Sequence, residues 1–262
     1  MKAPHWIETG RGERVLVFLH GISGGAAGAL DILPLLTPPG WRGLAWDMPG
    51  YGKSRQVEPV NFDSFAGALV DLFDAAGLEQ AVLVGHSMGG MIALQAAVRF
   101  PERISGLVLA CSTPAFGAPA GPLQQAFLAR RLGPLDEGAT MRELAVELIP
   151  TMVGPGADPV VVCDAVDLMG RIAPASYRAA MHALLGFDQR AALPGLALPA
   201  LVLAGRHDGV AAPAVLRRMA ASLPAATYLE IDAGHLLPYE EPAAFAAAVR
   251  EFLAGLDCMS VM

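Results

Sequence analysis

A serine flanked by glycines directly follows a short apolar run in the stretch VLVGHSMGG, residues 82–90. The pattern Gly85-x-Ser87-x-Gly89 lies where a predicted strand ends and the predicted helix MGGMIALQAAVRF begins. This context predicts a sharp turn that projects the serine hydroxyl from the edge of a sheet, with the glycines relieving the crowding. We therefore interpret Ser87 as a candidate nucleophile rather than as a loop serine that only caps a helix.

A serine hydroxyl needs a base to remove its proton, and a histidine oriented by a carboxylate can supply that base. Of the six histidines, His235 lies in the loop IDAGHLLPYEEP, after the last predicted strand and before the final helix. A histidine at this place can reach a serine at the sheet edge. His20 and His86 adjoin glycines at other strand ends and are expected to support their own loops.

The best candidate for the carboxylate is Asp208 in VLAGRHDGVAAP, which directly follows the strand before His235. The chain order Ser87, Asp208, His235 is the order of serine, acid and histidine that accompanies a strand-to-helix nucleophile turn. Asp232 is the alternative acid because it is only three residues from His235. It ends a strand, however, and is expected to begin the turn. The three residues together predict acyl transfer.

Acyl transfer also needs backbone N–H groups that stabilise the developing oxyanion. The Met88 amide is expected at the N-terminus of the helix after Ser87, which suits negative charge. A second strand runs into glycines in FLHGISGG, residues 18–25, and the Ile22 amide is the expected second donor. Ser23 is the alternative at this position.

Seven short apolar runs must position these residues. In chain order they are WIET, RVLVFLH, GLAWD, AVLVG, GLVLAC, ALVLAG and TYLEI, and longer segments of helical period separate most of them. Alternation of this kind is typical of an α/β fold in which helices cover both faces of a parallel sheet. The first two runs flank GRGE and are predicted to form a hairpin.

The alternation stops between Cys111 and Ala200, where helix signals occur without a convincing strand. Prolines divide this segment into short helices. We expect residues 113–194 to form a helical cap insertion over the carboxyl edge of the sheet. Residues 1–112 and 195–262 are then the core domain.

Three helices are predicted within the insertion. Thr140 and Glu143 form a capping box at the start of the first, and Asp158 followed by Pro159 marks the start of the second. The third contains Tyr177.

Most apolar side chains of the insertion are expected to pack against one another, but flexible methionines can also line an adaptable pocket. The candidates for substrate contact, besides Ser23, are Met141, Met152, Met169 and Met181. An anionic substrate would require an inward-pointing arginine as a clamp. The candidate arginines are Arg130, Arg131, Arg171, Arg178 and Arg190. The alternative, that all five are solvated, remains open.

Composition excludes several classes of protein. With 54% hydrophobic and 16% charged residues, the 262-residue chain is too apolar for disorder and can bury a large interior. A formal charge of −7 and the lack of a basic run disfavour nucleic acid and anionic membranes as partners. No secretory pattern is evident, and no run approaches the roughly 18 apolar residues of a membrane span. We expect a cytoplasmic protein with a small-molecule substrate, as a monomer or homodimer.

Cys111, Cys163 and Cys258 have unrelated spacings and include no C-x-x-C pair. They are expected to be reduced thiols rather than metal ligands or a redox centre. No metal and no cofactor is expected.

The stretches HGISGG, DMPGYGKS, GHSMGG, GRHDG and AGHLLPYEEP, in this order, resemble the α/β-hydrolase family. The resemblance spans almost the whole chain outside the expected cap. It implies a mainly parallel eight-stranded sheet, with Ser87, Asp208 and His235 as nucleophile, acid and base. Within the family the chain is similar to small bacterial esterases and to the enol-lactone and carbon–carbon bond hydrolases of catabolic pathways.

The expected activity is hydrolysis of a small to medium carboxylic ester or lactone. Two other enzymes share the same constellation: a hydrolase of carbon–carbon bonds in diketones or ring-cleavage products, and a thioesterase. A small-molecule receptor on the same fold is the alternative outside enzymes. An intact triad argues against the receptor, because a binding protein has no need of a strained serine.

Overall fold

The computed structural model describes residues 3–117 and 121–259 of the chain. Its centre is one sheet of seven strands. In chain order these are β1 (Trp6–Gly10), β2 (Arg14–Leu19), β3 (Trp41–Trp46), β4 (Ala81–His86), β5 (Ile104–Ala110), β6 (Ala200–Gly205) and β7 (Ala226–Ile231).

The strands lie in the order β1-β3-β2-β4-β5-β6-β7, and only the β1–β3 pair is antiparallel. The expected α/β fold with a mainly parallel sheet is confirmed. The apolar runs of the sequence correspond to the seven strands, so the described residues contain seven strands rather than the eight that the family resemblance implied.

The predicted hairpin between the first two strands is wrong. Trp6 of β1 pairs with Trp46 of β3, while β2 lies between β3 and β4. Beyond Arg14, every residue of β2 is buried, so this strand is covered by a neighbour on each side. The half-buried β1 lies at the edge of the sheet instead.

Helices cover both faces of the sheet because its strands alternate apolar side chains between two hydrophobic clusters. Leu16 and Phe18 of β2 belong to one cluster, and Val17 and Leu19 belong to the other. Residues of α1 (Ile32–Leu36) and α10 (Pro242–Met259) complete the first cluster, and residues of α2 (Phe62–Ala76), α3 (Met88–Arg99) and α8 (Pro213–Ser222) contribute to the second.

Between β5 and β6 the described residues form four helices, one more than the three predicted. They are α4 (Pro122–Asp136), which was not predicted, α5 (Met141–Leu148), α6 (Pro159–Gly170) and α7 (Pro174–Ala183). The predicted helix starts are present, because Thr140 and Glu143 exchange both capping-box hydrogen bonds and Asp158 accepts from the Val160 amide. Buried residues of these four helices and of the segments between them, which together we call the cap, belong to the same cluster as the sheet face beneath α2, α3 and α8. The cap therefore shares its hydrophobic core with the sheet.

The last short helix, α9 (Leu237–Glu240), follows β7. Within the described residues, no helix has the length and apolar character needed to cross a membrane. Cys111 is buried and Cys163 is exposed, and both are free thiols. The side chain of Cys258 lies outside the described residues.

Candidate active site

Ser87 occupies the turn between β4 and α3 in a strained backbone conformation, with φ 52° and ψ −119°. Its N–H donates to the Ala110 carbonyl oxygen at 2.9 Å, which ties the turn to β5. A Cβ on Gly85 would lie 2.5 Å from the Gly89 carbonyl oxygen, and a Cβ on Gly89 would overlap the Leu19 carbonyl. Both glycines are therefore required by the close approach of helix and strands around the serine.

Ser87, His235 and Asp208 form one hydrogen-bonded chain. Ser87 Oγ lies 2.9 Å from His235 Nε2, and His235 Nδ1 lies 2.8 Å from Asp208 Oδ2. A carboxylate accepts only, so Nδ1 carries the hydrogen and Nε2 presents its lone pair to the serine hydroxyl. The structure thus brings together the three residues that the sequence singled out, in an arrangement that can deprotonate the hydroxyl.

Asp208 is held as a carboxylate by its surroundings. Its Oδ1 accepts from the Val210 and Ala211 amides at 2.7 and 2.8 Å. Burial by itself would raise the pKa of Asp208, but the charge and hydrogen bond of His235, with those two amides, lower it below the usual value. The carboxylate can therefore stabilise a positive charge on His235.

Asp232 contacts a different histidine. Its Oδ1 accepts from His207 Nε2 at 2.9 Å and from Arg206 Nη1 at 3.1 Å, and its side chain is 68% exposed. Asp208, by contrast, is only 4% exposed and lies behind His235. The position three residues before the base therefore does not bring Asp232 onto the imidazole.

Among the described residues, one group has donor atoms close enough together to hold a metal ion: Cys111, Asp208 and His235, within 4.8 Å of one another. Asp208 and His235 are hydrogen-bonded to each other. Burial raises the pKa of the Cys111 thiol well above its usual value, and the nearby Asp208 carboxylate raises it further. We interpret the group as the acid–base pair with a neutral thiol packed beside it.

The two backbone amides expected to bind an oxyanion flank Ser87. A Cβ on Gly21 would lie 3.1 Å from the Ser87 Cβ, so the loop that carries Ile22 passes directly over the serine. Tyr51 Oη donates to the Ile22 carbonyl oxygen at 3.0 Å and fixes this loop. Within residues 3–117 and 121–259, neither the Ile22 nor the Met88 amide donates to a protein acceptor. Both are thus available to a ligand.

Two neutral histidines support the loops around the site. His20 Nε2 accepts from the Met48 amide at 3.0 Å, so its Nδ1 carries the hydrogen and donates to the Gly21 carbonyl at 2.8 Å. His86 Nε2 donates to the His235 carbonyl at 2.7 Å. Burial lowers the pKa of both residues, that of His86 to about 3.

The loop of His235 is bound to the cap by hydrogen bonds that no sequence pattern had indicated. The His235 N–H donates to the Met152 carbonyl oxygen at 2.7 Å. Glu240 Oε2 accepts from the Gly154 amide at 2.6 Å and from the Gly234 amide at 2.9 Å. One glutamate therefore joins the cap to the segment that positions the base.

Ser87 and His235 open into a cavity of about 530 Å³. Ser23 and Met152 line it, as the sequence suggested. Met141, Met169 and Met181 do not, which corrects their assignment as substrate contacts. Each is at most 3% exposed, because these side chains face the interior of the cap, where they pack in its shared core.

Of the five candidate arginines, Arg171 lines the cavity. Asp31 and Asp164 line it as well, so this cation shares the walls with carboxylates. The others lie elsewhere: Arg130 is exposed, Arg131 stacks on Phe127, Arg178 pairs with Asp136 and Arg190 pairs with Asp188. Arg142, a sixth cap arginine that the sequence pattern did not single out, pairs with Asp167.

Comparison with known proteins agrees with this geometry. The family model described as the alpha/beta hydrolase fold matches residues 14–146. The chain is 30% identical to pimeloyl-[acyl-carrier protein] methyl ester esterase of Photobacterium profundum, over 95% of this chain and 97% of the relative. It is 38% identical to 2-hydroxy-6-oxononadienedioate/2-hydroxy-6-oxononatrienedioate hydrolase of Paraburkholderia phymatum, over 40% of this chain and 38% of the relative.

Among solved structures, the enol-lactonase of Burkholderia xenovorans LB400 superposes with a TM-score of 0.86 at 26% identity, covering 95% of this chain and 96% of the other. A hydrolase from Pseudomonas aeruginosa superposes with a TM-score of 0.84 at 28% identity, covering 95% and 93%. Together with the nucleophile turn and the hydrogen-bonded triad, these matches show that the chain belongs to the α/β-hydrolase fold family.

Proposed function

We propose that this protein is a carboxylic ester hydrolase that acts through an acyl-enzyme on Ser87. The observation that carries the proposal is the continuous hydrogen-bonded chain from Ser87 Oγ through His235 to Asp208, at the wall of a cavity of substrate size. Relatives that match the chain over most of its length support it, because one is named as a methyl ester esterase and one as an enol-lactonase.

The reaction follows from the positions of the atoms. His235 Nε2 removes the proton as Ser87 Oγ attacks the ester carbonyl, and Asp208 stabilises the imidazolium that forms. The Ile22 and Met88 amides stabilise the oxyanion of the tetrahedral intermediate. His235 then returns the proton to the departing alcohol. Water, activated by the same histidine, hydrolyses the acyl-enzyme and regenerates the Ser87 hydroxyl.

A cavity of about 530 Å³ suits a substrate of small to medium size. Apolar side chains make up much of its wall, among them Ile32, Leu35, Ile149 and Leu168. We therefore propose a neutral carboxylic ester or lactone with an apolar acyl or ring portion as the substrate class.

The test is hydrolysis by the wild-type protein and by Ser87→Ala. Ester turnover by the variant should fall on the order of 10³-fold or more in kcat, since the hydroxyl is the attacking group. A fluorophosphonate probe should label the wild-type protein and not the variant, and matched circular dichroism spectra would show that the fold is retained. Unchanged ester turnover by a folded Ser87→Ala protein would refute the assignment of Ser87 as the nucleophile.

A substrate panel separates the related activities. Esters, lactones, thioesters and β-diketones are offered to the wild-type protein at equal concentration. Esters or lactones should have the highest kcat/KM. A higher value for thioesters or diketones would replace the proposed substrate class, and binding without turnover or labelling would indicate a receptor.

A further inference from the structure

Two hydroxyl groups line the cavity without a hydrogen-bond partner among the described residues: Ser23 Oγ and Tyr239 Oη. Both oxygen atoms are shielded from solvent in this arrangement. Buried hydroxyl groups in folded proteins nearly always have a partner, because leaving one unpaired costs free energy. Two unpaired hydroxyls in the wall of one cavity indicate a place where a ligand supplies the partner.

Tyr239 packs against His86, which in turn packs against His235, and it lies on a well-anchored segment. Its ring centroid is 5.9 Å from that of His86, and the His86 and His235 centroids are 5.4 Å apart. The neighbouring Glu240 accepts the backbone hydrogen bonds that join this segment to the cap. Burial raises the pKa of Tyr239, so its phenol stays protonated and can donate.

The immediate neighbours of the Tyr239 hydroxyl are apolar. A Cβ on Gly28 would lie 3.6 Å from Tyr239 Oη and 2.6 Å from Leu168 Cδ2, so the glycine leaves a space that both side chains share. A leucine methyl offers no hydrogen bond. A ligand oxygen at the phenol would share this space with the Leu168 side chain of helix α6.

His86 Nδ1 is a third atom of a cavity-lining residue that has no hydrogen-bond partner among the described residues, but it differs from the two hydroxyls. A Cβ on Gly21 would lie 3.2 Å from it, so this nitrogen is turned against the loop backbone rather than toward the open cavity. Because His86 is neutral and its Nε2 donates to the His235 carbonyl, Nδ1 can only accept a hydrogen bond. The two hydroxyls, by contrast, can donate.

We infer that the Ser23 and Tyr239 hydroxyls are donors to neutral oxygen atoms of the substrate other than those of the scissile ester. The preferred substrate is then an oxygenated ester or lactone that carries a keto, alkoxy or hydroxy group within an otherwise apolar portion. This inference rests on the proposed ester hydrolysis and narrows its substrate class. A carboxylate at this place is disfavoured, because among the described residues the cavity wall carries the Asp31 and Asp164 carboxylates against the single guanidinium of Arg171.

The experiment compares p-nitrophenyl pentanoate with its 3-oxo and 4-oxo analogues and with p-nitrophenyl 3-methoxypropanoate. The wild-type protein should favour at least one oxygenated ester about tenfold or more in kcat/KM, chiefly through a lower KM. Tyr239→Phe and Ser23→Ala should each reduce that preference by about three- to tenfold, as expected for one lost hydrogen bond. The preference is the ratio of kcat/KM for the oxygenated ester to kcat/KM for the unsubstituted pentanoate, taken within each variant, so a general loss of turnover does not count as a loss of recognition.

Tyr177→Phe is the matched control. The Tyr177 hydroxyl is likewise buried without a hydrogen-bond partner among the described residues, but Tyr177 packs within the cap and does not line the cavity. This variant should leave the preference for the oxygenated ester unchanged. A loss of preference equal to that of Tyr239→Phe would contradict the inference, because it would assign the effect to cap packing.

Calorimetry measures the binding of the same esters to Ser87→Ala and so separates substrate recognition from turnover. Tighter binding of an oxygenated ester, weakened by adding Tyr239→Phe, supports the inference even if the wild-type protein cleaves no ester and the proposed function fails. Equal affinity of Ser87→Ala for all four esters would overturn the inference while leaving the proposed ester hydrolysis intact. So would a loss of affinity on adding Tyr239→Phe that is the same for the oxygenated and the unsubstituted esters.

Discussion

The two aspartates near the base differ in environment far more than in sequence. Asp208 is buried, accepts hydrogen bonds from two backbone amides and is hydrogen-bonded to His235. Asp232 is exposed and is hydrogen-bonded to His207 and Arg206. A carboxylate orients the imidazole only if it contacts Nδ1, so burial and contact favour Asp208 over Asp232 as the proposed acid.

We expect Asp208→Asn to slow kcat by up to about 10⁴-fold, because an amide favours the wrong tautomer of the histidine. Asp232→Asn should change kcat by less than about threefold, since it removes only exposed ion pairs. Steady-state kinetics on one ester measures both. The opposite ranking of the two variants would transfer the role of the acid to Asp232.

At the scale of elements, the loop that carries His235 is fixed by three close backbone approaches. A Cβ on Gly234 would lie against the Gly154 amide nitrogen, 2.5 Å from the Val153 carbonyl carbon and 2.6 Å from the Met152 carbonyl oxygen. These are main-chain atoms of the cap, which cannot rotate away as a side chain could. The base can therefore be displaced by a change that touches no catalytic group.

Gly234→Ala should lower the free energy of unfolding by roughly 1–3 kcal/mol, the usual cost of overpacking, and should reduce kcat because the His235 loop shifts. Gly209→Ala is the matched control, since a Cβ there meets no atom within 4 Å. Thermal unfolding and kcat are measured for both. A Gly234→Ala protein with wild-type stability and kcat would contradict this prediction, because it would show that the cap backbone shifts at little cost.

For the whole molecule, the buried neutral histidines make stability depend on pH. Burial lowers the pKa of His86 to about 3, and the charge of His235 lowers it as well, against smaller opposing effects of the His235 carbonyl and Asp208. Between about pH 3 and its ordinary value near 6.5, the unfolded chain binds a proton at His86 that the folded protein does not. Stability therefore rises with pH through this window and falls on acidification.

The free energy of unfolding should accordingly decrease by about 1 kcal/mol per pH unit for this residue below pH 6. His86→Gln, whose amide can still donate to the His235 carbonyl, should flatten the dependence. His182→Gln, at an exposed position, should not. Urea unfolding at pH 7, 6 and 5 gives the three slopes, and equal slopes for all three proteins would exclude His86 as a source.

The sequence by itself determined the features that depend on neighbours along the chain. The seven apolar runs became the seven strands, and the capping box at Thr140 and the cap at Asp158 formed as predicted. The glycines around Ser87 predicted its turn, and chain order singled out Asp208 and His235, which the structure places in hydrogen-bond contact with each other and with Ser87. Burial periodicity, helix capping and backbone strain act over a few residues, so each leaves a local pattern.

Only the tertiary structure decided the pairing of β1 with β3, because both possible partners of β1 are apolar strands. It also decided that Met152 lines the cavity while Met141 packs inside the cap, and that Glu240 reaches Gly154 across 86 residues. The position of the Tyr239 hydroxyl beside the cavity could not be predicted from the sequence either. Whether a side chain ends in a cavity, a core or a hydrogen bond depends on elements distant in sequence, and that arrangement exists only once they have packed.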